Sequence, residues 1–161
     1  MHAEDISQSE PLYLQHKVFG GKGAFQFQPD ETRSQVPTLR FEAAKSVGPR
    51  KYDWSKDNKI QIQLTERELP ILAAVLLGAQ PSCVFDSHGP EKNKALEVHY
   101  QPDSKNFFVK ARHGQNLVAV PMGKEDAYYV LCLVIKQITA SKKGLDSLST
   151  ITLIRSVFGR A

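Results

Sequence analysis

The chain writes one pattern twice: four short segments in which apolar and polar residues alternate, followed by an apolar helix. The first copy runs from Tyr13 to Leu64 and leads into a helix near Glu66 to Leu77. The second runs from Cys83 to Val120 and ends in a helix near Lys124 to Ile138. Alternation with a period of two puts successive side chains on opposite faces of a strand, so each copy predicts a sheet with one apolar and one polar face. One such ββββα unit is too small to bury a convincing core by itself, which predicts that the two copies close on each other in one domain.

In the first copy Phe25 and Phe27 share a face opposite Gln26 and Gln28, and Leu39 and Phe41 share one opposite Thr38 and Arg40. Ile60, Ile62 and Leu64 then point inward, leaving Lys59, Gln61 and Gln63 outward. Gly20, Gly21 and Gly23 break the first strand where the chain needs positive φ or a close backbone approach. They precede a strand and not a helix, which excludes the P-loop and dinucleotide readings. Thr65 with Glu68 three residues on has capping-box spacing, and Gly78 stops the helix that follows. In the second copy Phe107, Val109 and Ala111 oppose Phe108, Lys110 and Arg112, and Gly114-Gln115 marks a hairpin before Leu117. The helix from Glu125 to Thr139 is apolar nearly all round, so it predicts burial on more than one side and a subunit interface.

At 161 residues, 41% hydrophobic and 24% charged, the composition is that of a globular domain. The longest apolar runs fall short of the ~18 residues that span a bilayer, and the acidic, polar segment from Met1 to Pro11 has no targeting pattern. The expected location is cytoplasm or nucleoid. Cys83 and Cys132, far apart in unlike contexts, read as buried reduced thiols. The five histidines show no zinc spacing, and no serine or cysteine sits in a nucleophile elbow. Asp86 and His88 have the Asp-x-His form seen in some metal nucleases, and a turn cap is the plainer role. The expectation is therefore no catalytic residue, no metal and no cofactor.

A net charge of +4 fits a phosphate-bearing partner. Its distribution says more than its sum: Lys105, Lys110, Arg112 and His113 lie in a stretch without acids, and the span from Lys45 to Lys59 is enriched in cations. Binding a single strand needs cations for phosphates and flat side chains for bases. Tyr52 and Trp54 beside Arg50 and Lys51, and Phe108 with Lys110 and Arg112, offer both. Lys22, Arg40 and Lys59 complete the candidate interface as phosphate contacts. Each cation is equally a solvated surface charge by itself, and Trp54 equally a packing anchor.

Two stretches, Gly20-Gly21-Lys22-Gly23-Ala24-Phe25 and Arg50-Lys51-Tyr52-Asp53-Trp54, resemble signature segments of the Whirly family of single-stranded DNA-binding proteins. Val84-Phe85-Asp86 and Val120-Pro121 are similar to family positions too. In plant members the first segment reads Lys-Gly-Lys-Ala-Ala-Leu, so Lys22 matches its second lysine while Gly20 replaces the first. The resemblance covers about Tyr13 to Ala140. It implies an α+β fold of two four-stranded antiparallel sheets packed crosswise, with helices at the interface of a homotetramer. It also implies single-stranded DNA lying along sheet edges with little sequence preference.

Together these readings divide the chain into a flexible acidic N-terminus (1–11), a Whirly-like nucleic-acid-binding domain (12–140) and a C-terminal interface segment or tail (141–161). They point to a non-enzymatic single-stranded DNA-binding protein acting in replication, recombination, repair or transcription. RNA binding or annealing on the same surface, and a protein-interaction scaffold using the second helix and tail, are the alternatives.

Overall fold

The computed structural model describes residues 15–142 and 144–160. The expected N-terminal segment 1–11 and the strand start at Leu12 and Tyr13 lie outside the described residues. The first sheet contains β1 (His16–Phe19), β2 (Gly23–Glu31), β3 (Pro37–Gly48), β4 (Lys51–Tyr52) and β5 (Ile60–Gln63). Its order is β1-β2-β3, with β5 and the two-residue β4 both pairing β3. After α1 (Glu68–Leu76) the second sheet runs β6 (Ser82–His88), β7 (Lys94–Gln101), β8 (Asn106–His113) and β9 (Asn116–Met122) in sequence order. Every pairing is antiparallel. Two helices follow, α2 (Lys124–Ser141) and α3 (Ser147–Phe158).

The sheets pack crosswise through their apolar faces and share a single core. Register explains which side chains reach it. Phe27 stands opposite Phe41, and Phe41 opposite Ile62, so one row of the first sheet is apolar across three strands. In the second sheet Val98, Val109 and Val120 form the corresponding row. All six are at most 2% exposed. Phe25, Phe27 and Phe41 interlock with centroids 5.1–5.8 Å apart. Residues of both copies join in one continuous cluster, as the small size of each copy predicts.

Two of the three glycines of the first hairpin, Gly20 and Gly23, have one reason between them, and it is not positive φ; a side chain at Gly21 would meet open space. A Cβ at Gly23 would stand 2.6 Å from Val118 Cγ1, and one at Gly20 would stand 3.0 Å from Val120 Cγ1. The backbone of the β1–β2 turn therefore lies directly on β9, which a side chain at either position would push away. Gly20 cannot take the lysine of the plant segment without that shift. Gly78 does use the left-handed region, at φ 81°, to end α1. The capping box forms as spaced: Thr65 N–H donates to Glu68 Oε1 at 2.9 Å, and Glu68 N–H to Thr65 Oγ1 at 3.3 Å.

Two expectations change, and two further segments take a definite form. Thr38 shares the outward parity of Arg40 yet is fully buried: its hydroxyl donates to the Leu64 carbonyl, and its own carbonyl accepts from Gln137 Nε2 at 2.7 Å. The chain leaving β5 satisfies the hydroxyl and the helix folded back over the strand end satisfies the carbonyl, and alternation does not register such a cover. Between Pro29 and Pro37 the polar segment is only partly loop: β2 continues through Pro29, opposite Leu39, to Glu31, opposite Pro37. Cys132 is exposed on α2, while Cys83 is buried, with burial pushing its thiol up to about 12. The C-terminal segment forms a capped helix. Asp146 accepts from Ser149 N–H at 2.7 Å as the cap of α3, and Thr150 and Ile154 are buried beneath it.

Candidate nucleic-acid interface

Because the apolar faces meet in the core, the polar faces of both sheets lie outward, and the candidate residues distribute over these two faces. On the first sheet the parity that turns His16 and Val18 inward sends Lys17 and Phe19 outward. Phe19 is 61% exposed, with its ring centroid 5.6 Å from that of Tyr52. Tyr52 is fixed by its hydroxyl, which donates to the Gly20 carbonyl at 2.8 Å. Lys17 Nζ sits 5.5 Å over the Trp54 ring, a cation–π contact. Trp54 is half-buried, so it is both packed from one side and open on the other.

The chain holds these groups through β3. It runs to Gly48, and β4 folds back on it, Ser46 opposite Tyr52. Ser46 N–H donates to the Lys22 carbonyl at 3.1 Å, and Asp53 N–H to the Lys45 carbonyl at 2.9 Å. The β1–β2 turn carrying exposed Lys22 is thereby tied to the β3–β4 turn carrying Arg50 and Lys51, both exposed. Arg50 adopts φ 56°, the left-handed conformation that reverses the chain here. Asp53 accepts from Ser55 and from Asn58 Nδ2, and those hydrogen bonds hold its carboxyl below the usual carboxylate range. It braces the loop after Trp54.

On the second sheet Phe108 lies between His99 and Pro121, Lys110 between Glu97 and Ala119, and Arg112 between Ala95 and Leu117. Val84 and Leu117, 54% and 47% exposed, add apolar surface to this face. The two faces meet at β9. A Cβ on Gly20 would lie 3.7 Å from Pro121 Cδ, and Pro121 is the cross-strand neighbour of Phe108. Trp54, Tyr52, Phe19, Pro121 and Phe108 thus trace a path of flat and apolar groups around the edge of the double sheet. Lys17, Lys22, Arg50 and Lys51 accompany one end, and Lys110 and Arg112 the other.

Arg40 and Lys59 belong to the outer face of the first sheet but not to this path. Lys59 Nζ pairs with Glu42 at 2.6 Å, and Arg40 lies 3.8 Å from Asp30 and against the Gln28 amide. Both are engaged within the sheet and stand apart from the aromatic path. Burial works against the Glu42 carboxylate, but hydrogen bonds from Lys59 and Gln26 and the charges of Lys59 and Arg40 outweigh it and keep the group below its ordinary value. Lys110 is paired as well, 3.5 Å from Glu97, but on the outer face of the second sheet beside Phe108 and Arg112. Glu97 is also held low: desolvation opposes its charge, and the His99 hydrogen bond with the Lys110 charge prevails.

The linkage has a definite sign. A carboxyl with a lower folded than unfolded value adds stability that is complete above the unfolded value and disappears as pH falls through the folded one. Stability should therefore decline below about pH 4.5, the ordinary value of Glu42 and Glu97. Glu42→Gln should lower stability by about 1–3 kcal/mol at neutral pH, by loss of charge-assisted hydrogen bonds, and flatten the acid limb. Urea midpoints measured across that limb check both; an unchanged limb would count against the Glu42 pairing.

Phe19 and Lys17 join the interface without having been among the candidates that the sequence suggests. Their signal was present: both share the parity opposite His16 and Val18, the faces that the alternation separates. Asp86 and His88 separate in the opposite way. His88 Nε2 pairs with Glu68 Oε2 at 2.9 Å, while Asp86 is exposed, so they form neither a metal pair nor a shared cap. Among the described residues no cluster of three or more metal-ligating side chains forms, and no helix is long and apolar enough to cross a membrane.

The architecture and this surface define an α+β protein of two crosswise antiparallel sheets with an aromatic and cationic rim. Among solved structures it is similar to WHY1 from Arabidopsis thaliana, with a TM-score of 0.64 at 24% identity over 80% of this chain and 84% of that one. The plant transcriptional regulator PBF-2 is also similar, with a TM-score of 0.63 at 19% identity over 89% of this chain and 86% of that one. No family model matches the sequence. Among curated proteins it is 30% identical over 128 residues to the chloroplastic single-stranded DNA-binding protein WHY1 of Arabidopsis thaliana, covering 68% of this chain and 47% of the relative. The potato (Solanum tuberosum) protein of the same name is 26% identical over 116 residues, 60% of this chain and 40% of that one. The chain belongs to the Whirly family. It spans less than half the length of these curated relatives.

Proposed function

We propose that this protein binds single-stranded DNA with little sequence preference, without catalysing a reaction, in replication, recombination, repair or transcription. The observation that carries this reading is the path from Trp54 through Phe19 and Pro121 to Phe108, flanked at both ends by cations. Rings stack on any base, and lysines and arginines hold phosphates whatever the sequence, so such a surface is suited to an unpaired strand and indifferent to its code. The curated relatives, named as single-stranded DNA-binding proteins, support the same reading. Lys22, Arg50, Lys51, Lys110 and Arg112 are the proposed phosphate contacts; Tyr52, Trp54 and Phe108, with Phe19, are the proposed stacking surfaces.

The test is binding as a function of salt. Log affinity should fall linearly with log salt at roughly −0.7 per neutralised phosphate for a single strand. Lys110→Ala with Arg112→Ala should flatten the slope by roughly 0.7 for each phosphate no longer held and weaken all sequences alike. Salt-independent binding would exclude phosphate as the partner and favour the scaffold reading. Competition between matched DNA and RNA oligonucleotides separates DNA from RNA.

A homotetramer is part of the proposal. Tyr128 and Tyr129 on α2 and Leu148, Leu153 and Val157 on α3 are each more than half exposed, and a groove between the helices is lined by Leu131, Cys132, Ile135 and Ile151. That much apolar surface on adjacent helices suits burial against other copies. Native mass spectrometry with and without a single-stranded oligonucleotide should give four copies per particle; a monomer in both conditions rules the tetramer out.

A further inference from the structure

On the outer face of the second sheet an acid stands among the groups assigned to hold a strand. Glu97 and His99 of β7 lie on that face, opposite Lys110 and Phe108 of β8 respectively. One oxygen of the Glu97 carboxylate accepts from His99 Nε2 at 3.0 Å, and the other lies 3.5 Å from Lys110 Nζ. The second contact is longer than the roughly 2.8 Å of a charge-assisted hydrogen bond, so the two charges meet without a firm bond. Glu42, on the first sheet, shows the other extreme. There Lys59 Nζ approaches to 2.6 Å, Gln26 Nε2 donates at 2.6 Å, and the carboxylate side chain is 6% exposed, against 19% for Glu97 and 35% for Lys110. Glu42 belongs to a closed pair, and Glu97 to an open one.

An open pair can change partners. A phosphate oxygen offers the Lys110 ammonium what the carboxylate offers it, a negatively charged acceptor, so a strand laid along Phe108, Lys110 and Arg112 competes with Glu97 for one cation. His99 keeps its hydrogen bond to the other carboxylate oxygen, and the group is open to water, so an acid that has lost Lys110 is not left buried and unpaired. Its charge still opposes the phosphate that displaced it. We propose that Glu97 is a built-in competitor for the strand's phosphates: it holds Lys110 in the free protein, yields it to a phosphate on binding, and so keeps affinity for single strands below what the cations alone would give. This rests on the single-strand reading above. Glu97 acts through Lys110 and is a positioning residue.

The test compares Glu97→Gln with the wild-type full chain for affinity to oligothymidylate across a salt series. The variant keeps the side chain's shape and loses its charge. It should bind about three- to fivefold more tightly, the upper range for a partly exposed ion pair, and its salt slope should steepen by as much as roughly 0.7, one phosphate's share. In a Lys110→Ala background the same change should gain less than about 1.5-fold, because the two residues act as a coupled pair and no cation is left to release. An equal gain in both backgrounds overturns the exchange. Unchanged or weaker binding by Glu97→Gln, with the wild-type chain still binding, overturns the proposal and leaves single-strand binding standing. If the wild-type chain does not bind, the functional reading fails and the role of Glu97 with it. Should the variant not fold, which urea unfolding reports, NMR of the wild-type chain decides: on saturation with oligothymidylate the Glu97 carboxyl carbon should shift, and that of Glu42, which keeps Lys59, should not. Glu97 unmoved, or the two moving alike, overturns the proposal.

Discussion

Replacing Phe19 and Phe108 together by alanine should weaken single-strand binding by about 2–6 kcal/mol, since stacking on an aromatic side chain contributes ~1–3 kcal/mol per base. That is a loss of roughly thirtyfold or more in affinity. The two rings stand on different sheets, either side of Pro121, so a strand that uses both must turn around the β9 edge. The loss should be alike for oligothymidylate and for mixed sequence, because every base offers a flat face. Stability should change little, Phe19 being largely exposed and Phe108 only half-buried. Fluorescence anisotropy with labelled oligonucleotides measures the affinity, and urea unfolding controls for stability. An effect below about threefold, well short of one stacked base, would mean that the bases do not rest on this path.

Phe41→Ala should cost about 3–5 kcal/mol of folding free energy, the range for an aromatic ring removed from a packed core. Phe41 is 1% exposed, contacts Phe25 and Phe27, and stands opposite both Phe27 and Ile62 in the register. Its removal leaves a cavity where the first sheet faces the second. Because a domain of ordinary stability holds only ~5–15 kcal/mol in reserve, this one change takes a large share of it. A urea midpoint that falls with an unchanged slope is the expected result. A shift under about 1 kcal/mol, far below the usual cost of such a cavity, would show that the crosswise packing does not depend on this aromatic cluster.

The alternation that builds the core also exposes the candidate interface. In β8 the same period buries Phe107, Val109 and Ala111 and presents Phe108, Lys110 and Arg112, so half of the candidate surface was readable from spacing alone. The same is true of β5, whose Ile60 and Ile62 face inward as the pattern requires. Legibility fails where a residue's fate depends on something distant in sequence. Arg40 and Lys59 face outward as predicted, yet Asp30 and Glu42 claim them, and nothing in the local pattern names those partners. Phe19 carried the right parity but acquires its role from Tyr52, far along the chain and brought close by the β3–β4 reversal.

Gly20 and Gly23 illustrate the boundary from the other side. Their presence marked a place where a side chain was not tolerated, but the obstacle, Val118 and Val120 of β9, belongs to the second copy of the pattern. Local rules sufficed for the strands, the capping box, the end of α1 and the inward or outward sense of nearly every strand residue, because these follow from steric preferences and period within a few residues. The meeting of the two outer faces at β9 and the pairing of some cations and freedom of others were decided by tertiary structure. Each depends on contacts between segments separated by tens of residues, and chain connectivity alone does not encode which charge will find which partner.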